Sequence, residues 1–318
     1  MLHEISALPD IFEYTSLSKD REDAMDSFLF SVCQNGLLLN LGNGLWLKHL
    51  SEMPMPQSLR DLTLAYLSKL QDSHRIINCP SSPGLNEEGN WLEYARQAHV
   101  TKQLAAIITS DKANQDQAED PLPIIPYPPN RSQLWNANIR GRMTMNVTKS
   151  EAGLRPILRT VLAYAKRVLI VDPFLNCEWK KYDKFLWLVA ELLGDFRDGH
   201  CNGVIEIQTS LKARYPESRI EIRKRWKKIL GTILPRHNHA FVIKILRDNE
   251  KLVKPHNRFL FTDQCGIKAG SGFECYDDLN AGIDEWTLLD RHAWQENEFR
   301  FTVIPEFELF DQFEIDGS

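Results

Sequence analysis

The side chains best suited to chemistry crowd into one segment, His256-Asn257-Arg258-Phe259-Leu260-Phe261-Thr262-Asp263-Gln264-Cys265-Gly266-Ile267-Lys268-Ala269-Gly270-Ser271-Gly272-Phe273-Glu274. Alternate residues of a strand point the same way, so His256 and Arg258 can converge on one phosphate. Asp263 follows five residues after Arg258, and Gly270-Ser271 begins seven residues after Asp263. A second strand, folded back as a hairpin, would bring Ser271 beside the pair. There its hydroxyl and the bare Gly270 backbone admit a phosphate oxygen.

In these intervals the segment resembles the phospholipase D superfamily signature HxKxxxxDxxxxxxGSxN. Arg258 stands where the family has lysine, and Phe273 where it has asparagine. A closer likeness is to the phospholipase D-like domain at the C-terminus of MIT-domain proteins and in bacterial relatives. It rests on His256-Asn257-Arg258, on Ala269-Gly270-Ser271-Gly272-Phe273 and on Val171-Asp172-Pro173-Phe174, and it covers about Leu154 to Glu274. No MIT helical hairpin is evident before it. The resemblance implies His256 as a nucleophile on phosphorus, Arg258 and Ser271 as the phosphate clamp, Gly270 as a phosphate-binding backbone and Asp263 as a supporting carboxylate. It implies metal-independent cleavage with no cofactor. Because active members need two such segments, a single copy implies a homodimer. Arginine keeps the charge and binds phosphate bidentately, but its planar fork does not replace an ammonium atom for atom.

The elements that must carry this segment read as α/β. A helix from Glu151 to Lys166 leads into the apolar run Arg167 to Val171, stopped by Pro173, as expected of a strand buried on both faces. A helix over Tyr182 to Phe196, a strand over Val204 to Thr209 and a basic helix over Ser218 to Leu230 follow. Two strands, Phe241 to Leu246 and Arg258 to Phe261, are joined by a turn at Asp248-Asn249-Glu250. The expected architecture of 151–318 is a mixed sheet flanked by helices.

Upstream, Pro121, Pro123, Pro126, Pro128 and Pro129 exclude a helix or a central strand, and 112–150 reads as a linker or arm lying along a domain surface. Residues 1–111 form an expected N-terminal α/β domain. Helices are expected at Asp20–Val32, at Ser58–Leu70 on a stripe of Leu59, Leu62, Ala65, Tyr66 and Leu70, and at Trp91–Ala98. Strands are expected at Leu37–Leu41, His74–Asn78 and Ala105–Thr109. This order resembles small PIN-like nuclease domains, although the first of these strands ends Asn40-Leu41-Gly42-Asn43 without the metal-binding carboxylate of that chemistry.

The composition, 43% hydrophobic and 25% charged over 318 residues, is that of a globular chain of about two domains and excludes disordered, collagenous and disulfide-scaffold classes. The richest apolar run, Gly36 to Leu50, is broken by Asn40, Gly42, Asn43, Gly44 and Lys48, so no membrane span is expected. With Glu4 and Asp10 near the start, no basic secretory region is read, and a cytoplasmic location is expected. Net charge is −5, yet Val204 to Arg258 holds fourteen basic residues against five acidic, and Phe259 to Ser318 three against fourteen. Two readings follow. Arg223, Lys224, Lys227 and Lys228 bind nucleic-acid phosphates, with Tyr215 and Trp226 as interleaved aromatics although Trp226 falls on the core-facing stripe and is expected to pack, or the basic block packs on the acidic tail. Six cysteines without a CxxC pair read as buried thiols, and His237 and His239 as a hydrogen-bonded loop pair rather than a metal site. The functional expectation is a nuclease or phosphodiesterase acting on nucleic acid, as in bacterial defence, with a protein partner in a multi-component system as a further expectation. The alternative is a degenerate adaptor that binds phospholipid headgroups or a protein.

Overall fold

The computed structural model describes residues 2–13, 19–80, 90–111, 122–129, 132, 135, 144–195, 202–211, 218–234, 237–247, 257–277, 280–302 and 308–316. His256, Cys201, Tyr215 and the turn 248–250 lie outside them. The chain is α/β and divides into two compact units, Leu2–Arg142 and Met143–Ser318.

The first unit is built on a parallel five-stranded sheet in the order β3-β2-β1-β4-β5. The strands are β1 (His3–Ala7), β2 (Gly36–Asn40), β3 (Ile76–Asn78), β4 (Ala106–Thr109) and β5 (Ile124–Pro126). Every residue of β2 and β4 is buried, as two-sided burial of parallel strands requires. The helices are α1 (Lys19–Asn35), α2 (Leu45–Glu52), α3 (Gln57–Asp72) and α4 (Trp91–Lys102). In α1 the buried face is Met25, Phe28, Leu29 and Val32, the 3.6-residue stripe of the sequence. In α3 the stripe is rotated from the expected one: Thr63 and Leu67 are buried and Ala65 is exposed. Trp46 of α2 is fully buried and donates its indole N–H to the Ala7 carbonyl at 2.6 Å, tying α2 to the end of β1.

The second unit holds an eight-stranded mixed sheet, β13-β9-β8-β7-β10-β11-β12-β6. Its strands are β6 (Thr144–Thr148), β7 (Arg167–Val171), β8 (Val204–Leu211), β9 (Ala240–Arg247), β10 (Arg258–Thr262), β11 (Gly266–Ala269), β12 (Ile283–Leu288) and β13 (Glu308–Ile315). Strands β7, β8 and β9 are parallel, and β10 returns antiparallel to β7. Helices α5 (Glu151–Leu162) and α6 (Lys180–Leu192) pack on each other, α7 (Arg219–Leu230) packs on β13, and α8 (Arg291–Thr302) follows β12. Trp294 and Phe301 of α8 cover Leu169, Val171, Phe259 and Phe261, the odd-numbered face of β7 and β10. Full burial of such side chains contributes roughly 1.5–3 kcal/mol each.

Two expectations are corrected. Strands β9 and β10 are not partners, because β8 and β7 lie between them in the sheet. The segment 112–150 is not simply a linker: Ile124–Pro126 is an edge strand of the first sheet and Thr144–Thr148 an edge strand of the second. An edge position tolerates proline, which has no N–H to donate to a neighbour. Among the described residues no helix is long and apolar enough to cross a membrane.

Candidate functional site

One edge of the second sheet gathers the ends of β6, β7 and β11 with the starts of β10 and β12. The registers show it: Phe259 lies opposite Val171, Arg258 opposite Ala269, and Ile283 opposite Thr148. For the parallel strands this is the carboxyl edge, where open α/β sheets bind ligands.

Asp172 directly follows β7 there. Its side chain is fully buried, accepts the Phe174 N–H at 2.9 Å, and lies 3.6 Å from Arg258 Nε and 3.5 Å from the Tyr182 hydroxyl. Burial pushes its carboxyl up to about 6, against the lowering effects of the Phe174 N–H, the Arg258 charge and the Phe273 N–H. Arg258 starts β10, donates to the Gly270 carbonyl at 3.2 Å and lies 4.7 Å over the Phe174 ring. The β10–β11 hairpin then brings Gly270 and Ser271 to the same edge, as the spacing predicts. The Ser271 N–H donates to both oxygens of Asp284, which also accepts from Trp286 Nε1 at 3.1 Å.

Lys149 and Lys181 complete the cluster. Lys149 follows β6, and its ammonium donates to Ser271 Oγ at 3.2 Å and to Glu274 Oε2. Lys181, in the first turn of α6, donates to Glu274 Oε1 at 3.1 Å and to the Tyr276 hydroxyl at 3.2 Å. Backbone bonds hold these groups together: Tyr276 N–H donates to Lys149 O at 2.7 Å, and Cys275 N–H to Lys181 O at 2.8 Å. Burial works to raise the Glu274 carboxyl, but the hydrogen bonds and charges of Lys149 and Lys181 outweigh it and hold it below the ordinary range. Gly272 lies at the centre with φ of +122°; a Cβ there would stand 3.0 Å from Glu274 Oε2 and 3.3 Å from both Arg258 Nε and Asp172 Oδ2.

Of the residues singled out in the sequence, Arg258, Gly270 and Ser271 are therefore brought together, and His256 falls outside the described residues. Asp263 is not part of the cluster. It sits beyond the other end of β10, roughly 17 Å along the strand, and accepts the Lys166 N–H at 3.0 Å. Phe273, in the asparagine position of the signature, is fully buried and stacks on Phe185 with ring centres 5.1 Å apart. Arg223 pairs with Asp311 of β13 at 2.6 Å. In the sheet β13 lies four strands from β10, roughly 19 Å, so Arg223 belongs to the packing of the basic helix on the acidic tail. Lys224, Lys227 and Lys228 are exposed on α7, whereas Trp226 is packed in the core and presents no stacking face.

The residues that sequence reasoning missed are Lys149, Lys181, Glu274 and Asp284. Lys149 and Lys181 carry no motif, and no local pattern marks either as lying at the end of a strand or helix beside the hairpin.

The remaining candidates resolve into structure. His239 is buried, accepts the Gly203 N–H at 3.0 Å through Nδ1 and so donates from Nε2 to Ala190 O at 2.8 Å. Burial is the main reason its pKa lies below the ordinary histidine value. Cys33, Cys79, Cys177, Cys265 and Cys275 are buried thiols. In the first unit the leading strand is β1 rather than the one ending at Asn40, and a carboxylate does follow it. Asp10 Oδ2 accepts from Thr109 Oγ1, Ser110 N and Asp111 N, each at 2.7 Å, which fastens the ends of β1 and β4 together. Among the described residues no three His, Cys, Asp or Glu side chains group as metal ligands.

No protein-family model matches the chain, and no curated protein matches it.

Proposed function

We propose that the Met143–Ser318 unit is a phospholipase D-like phosphodiester-binding domain acting on nucleic acid, with its site at the carboxyl edge of the second sheet. The observation that carries this reading is the convergence of Arg258, Lys149 and the Ser271 hydroxyl on one sheet edge, at the start of β10, the strand that follows His256 by two residues in the sequence. Two cations and a hydroxyl are a suitable donor set for the non-bridging oxygens of a diester. Arg258 takes the signature's lysine position, and Lys149 supplies an ammonium from another strand. By the resemblance, His256 attacks phosphorus as the bond to the leaving oxygen breaks, and water hydrolyses the phosphohistidine. In a homodimer a second imidazole facing the same groove protonates the leaving oxygen. A cytoplasmic role in defence against foreign nucleic acid, with a protein partner, fits this chemistry.

The test is hydrolysis of bis(p-nitrophenyl) phosphate by wild type and by His256→Ala, each with and without chelator. Activity that survives chelator and vanishes in the variant supports the reading. Activity lost in chelator and restored by a divalent cation overturns it. Light scattering adds a second check, since a strict monomer at micromolar concentration removes the two-histidine site.

A second reading is favoured by Phe273 in the asparagine position and by the carboxylates Asp172 and Glu274 set among the cations. The domain is then a degenerate adaptor for a phosphorylated headgroup or a protein. Binding to anionic vesicles without hydrolysis of any diester distinguishes it.

A further inference from the structure

The cations that would hold a phosphate already hold an anion. Glu274 places each carboxylate oxygen on a different ammonium, Oε1 on Lys181 and Oε2 on Lys149, and Lys149 also donates to Ser271 Oγ. Two of these groups, Lys149 and Ser271, are ones to which the phosphodiester reading gives a phosphate contact. The Lys149 and Glu274 side chains are only 8% and 12% exposed, whereas Gly270 and Ser271 beside them are exposed, so the cluster opens to solvent on the serine side. A buried ammonium (Lys149) and a half-buried one (Lys181) without an anion would be costly, and the Glu274 carboxylate supplies that anion.

Resting on that phosphodiester reading, we propose that Glu274 is a resident anion occupying the place of a phosphate's non-bridging oxygens. Lys149 and Lys181 are the ammonium ligands of that place, and a diester phosphate enters by displacing the carboxylate. One monoanion replaces another, so the charge balance of the cluster is conserved. The backbone around Gly272 leaves room for the exchange because no Cβ stands between Glu274, Arg258 and Asp172. Affinity is then set by competition between an internal carboxylate and the ligand. The carboxylate also discriminates against weak anions, which cannot displace a group tethered in the site.

The test is binding of a fluorescein-labelled single-stranded oligonucleotide by full-length protein at fixed low salt, followed by anisotropy. Glu274→Gln keeps the shape of the side chain and removes its charge, and is expected to bind about tenfold more tightly than wild type, the scale of one charge-assisted hydrogen bond. Lys149→Gln is expected to bind about tenfold more weakly. Glu296→Gln, on the exposed face of α8, makes the same change in net charge away from the cluster and is expected to leave affinity within twofold. Should Glu274→Gln fail to fold, the pair Lys181→Gln and Lys181→Gln/Glu274→Gln asks the same question with one cation fewer, and the double variant is expected to bind more tightly than the single. If wild type binds and neither the Glu274 nor the Lys149 change alters affinity beyond the Glu296 control, the resident-anion proposal is overturned and the phosphodiester reading stands. If wild type and all variants fail to bind at micromolar concentration, both are overturned. If wild type is silent and Glu274→Gln binds, the proposal is supported in its strongest form.

Discussion

Lys149 Nζ lies 3.2 Å from Ser271 Oγ, a contact made across 122 residues of chain. It joins the end of an edge strand to the turn after β11 and defines the cluster more closely than any pair within the signature segment. Ser271→Ala removes the hydroxyl and leaves the Ser271 N–H on Asp284, so the turn survives. A melting temperature within a few degrees of wild type, together with a several-fold loss of oligonucleotide affinity, is expected from parallel thermal melts and anisotropy titrations.

Gly272 cannot be replaced without strain. Its φ of +122° is one that L residues rarely adopt, and a methyl group would crowd Glu274, Arg258 and Asp172 together. Gly272→Ala is expected to cost about 1–3 kcal/mol of stability, read in denaturant unfolding, and to lose ligand affinity with it. An unchanged unfolding midpoint would show that the turn is looser than this geometry.

Asp172 makes stability depend on pH in a defined direction. Its carboxyl is raised by burial from the ordinary 3.8 to about 6, so between about pH 4 and pH 6 the folded state binds more protons than the unfolded state. Its contribution to stability is therefore full below pH 4 and is lost as pH rises through 6. Asp172→Asn, compared with wild type in denaturant melts across this window, should gain relative stability as pH rises, by a few kcal/mol at most. A difference that stays flat from pH 4 to pH 7 would contradict the burial of this group.

The basic helix separates one packed cation from three exposed ones. Asp311 is held below the ordinary carboxylate range first by the hydrogen bonds from Arg223, and its side chain is 3% exposed. Arg223→Glu sets two carboxylates against each other there and is expected to lower the melting temperature by several degrees. The triple change Lys224→Glu, Lys227→Glu and Lys228→Glu, on exposed positions, is expected to spare the melt and to flatten the salt dependence of nucleic-acid binding. Equal melting temperatures for the two variants would remove the structural role of the Arg223 pair.

Asp263 acts at the far edge. Asp263→Ala frees the Lys166 N–H and is expected to cost about 1 kcal/mol, while oligonucleotide affinity stays within twofold. A large affinity loss at unchanged stability would return this carboxylate to the site.

Much of this fold is legible in the order of residues because burial imposes a local period. The stripe Met25, Phe28, Leu29 and Val32 and the run Arg167–Val171 announce their helix and strand without outside information. Likewise the interval from Arg258 to Ser271 determines a hairpin and so brings those two residues together. What a local period cannot express is which strands are neighbours. The edge strands β5, β6 and β13 are short, proline-bearing or half-polar, and β1 is only five residues long with a buried serine, so each lacks the pattern its place in the sheet would require. The strand order places Lys149 beside Ser271, sends Asp263 to the opposite edge and puts Arg223 on Asp311. Residue types and spacing thus determined the α/β class and the β10–β11 hairpin. Only the tertiary structure decided which charges meet there, because side chains at strand ends are chosen by sheet neighbours many residues away and leave no periodic trace in the chain.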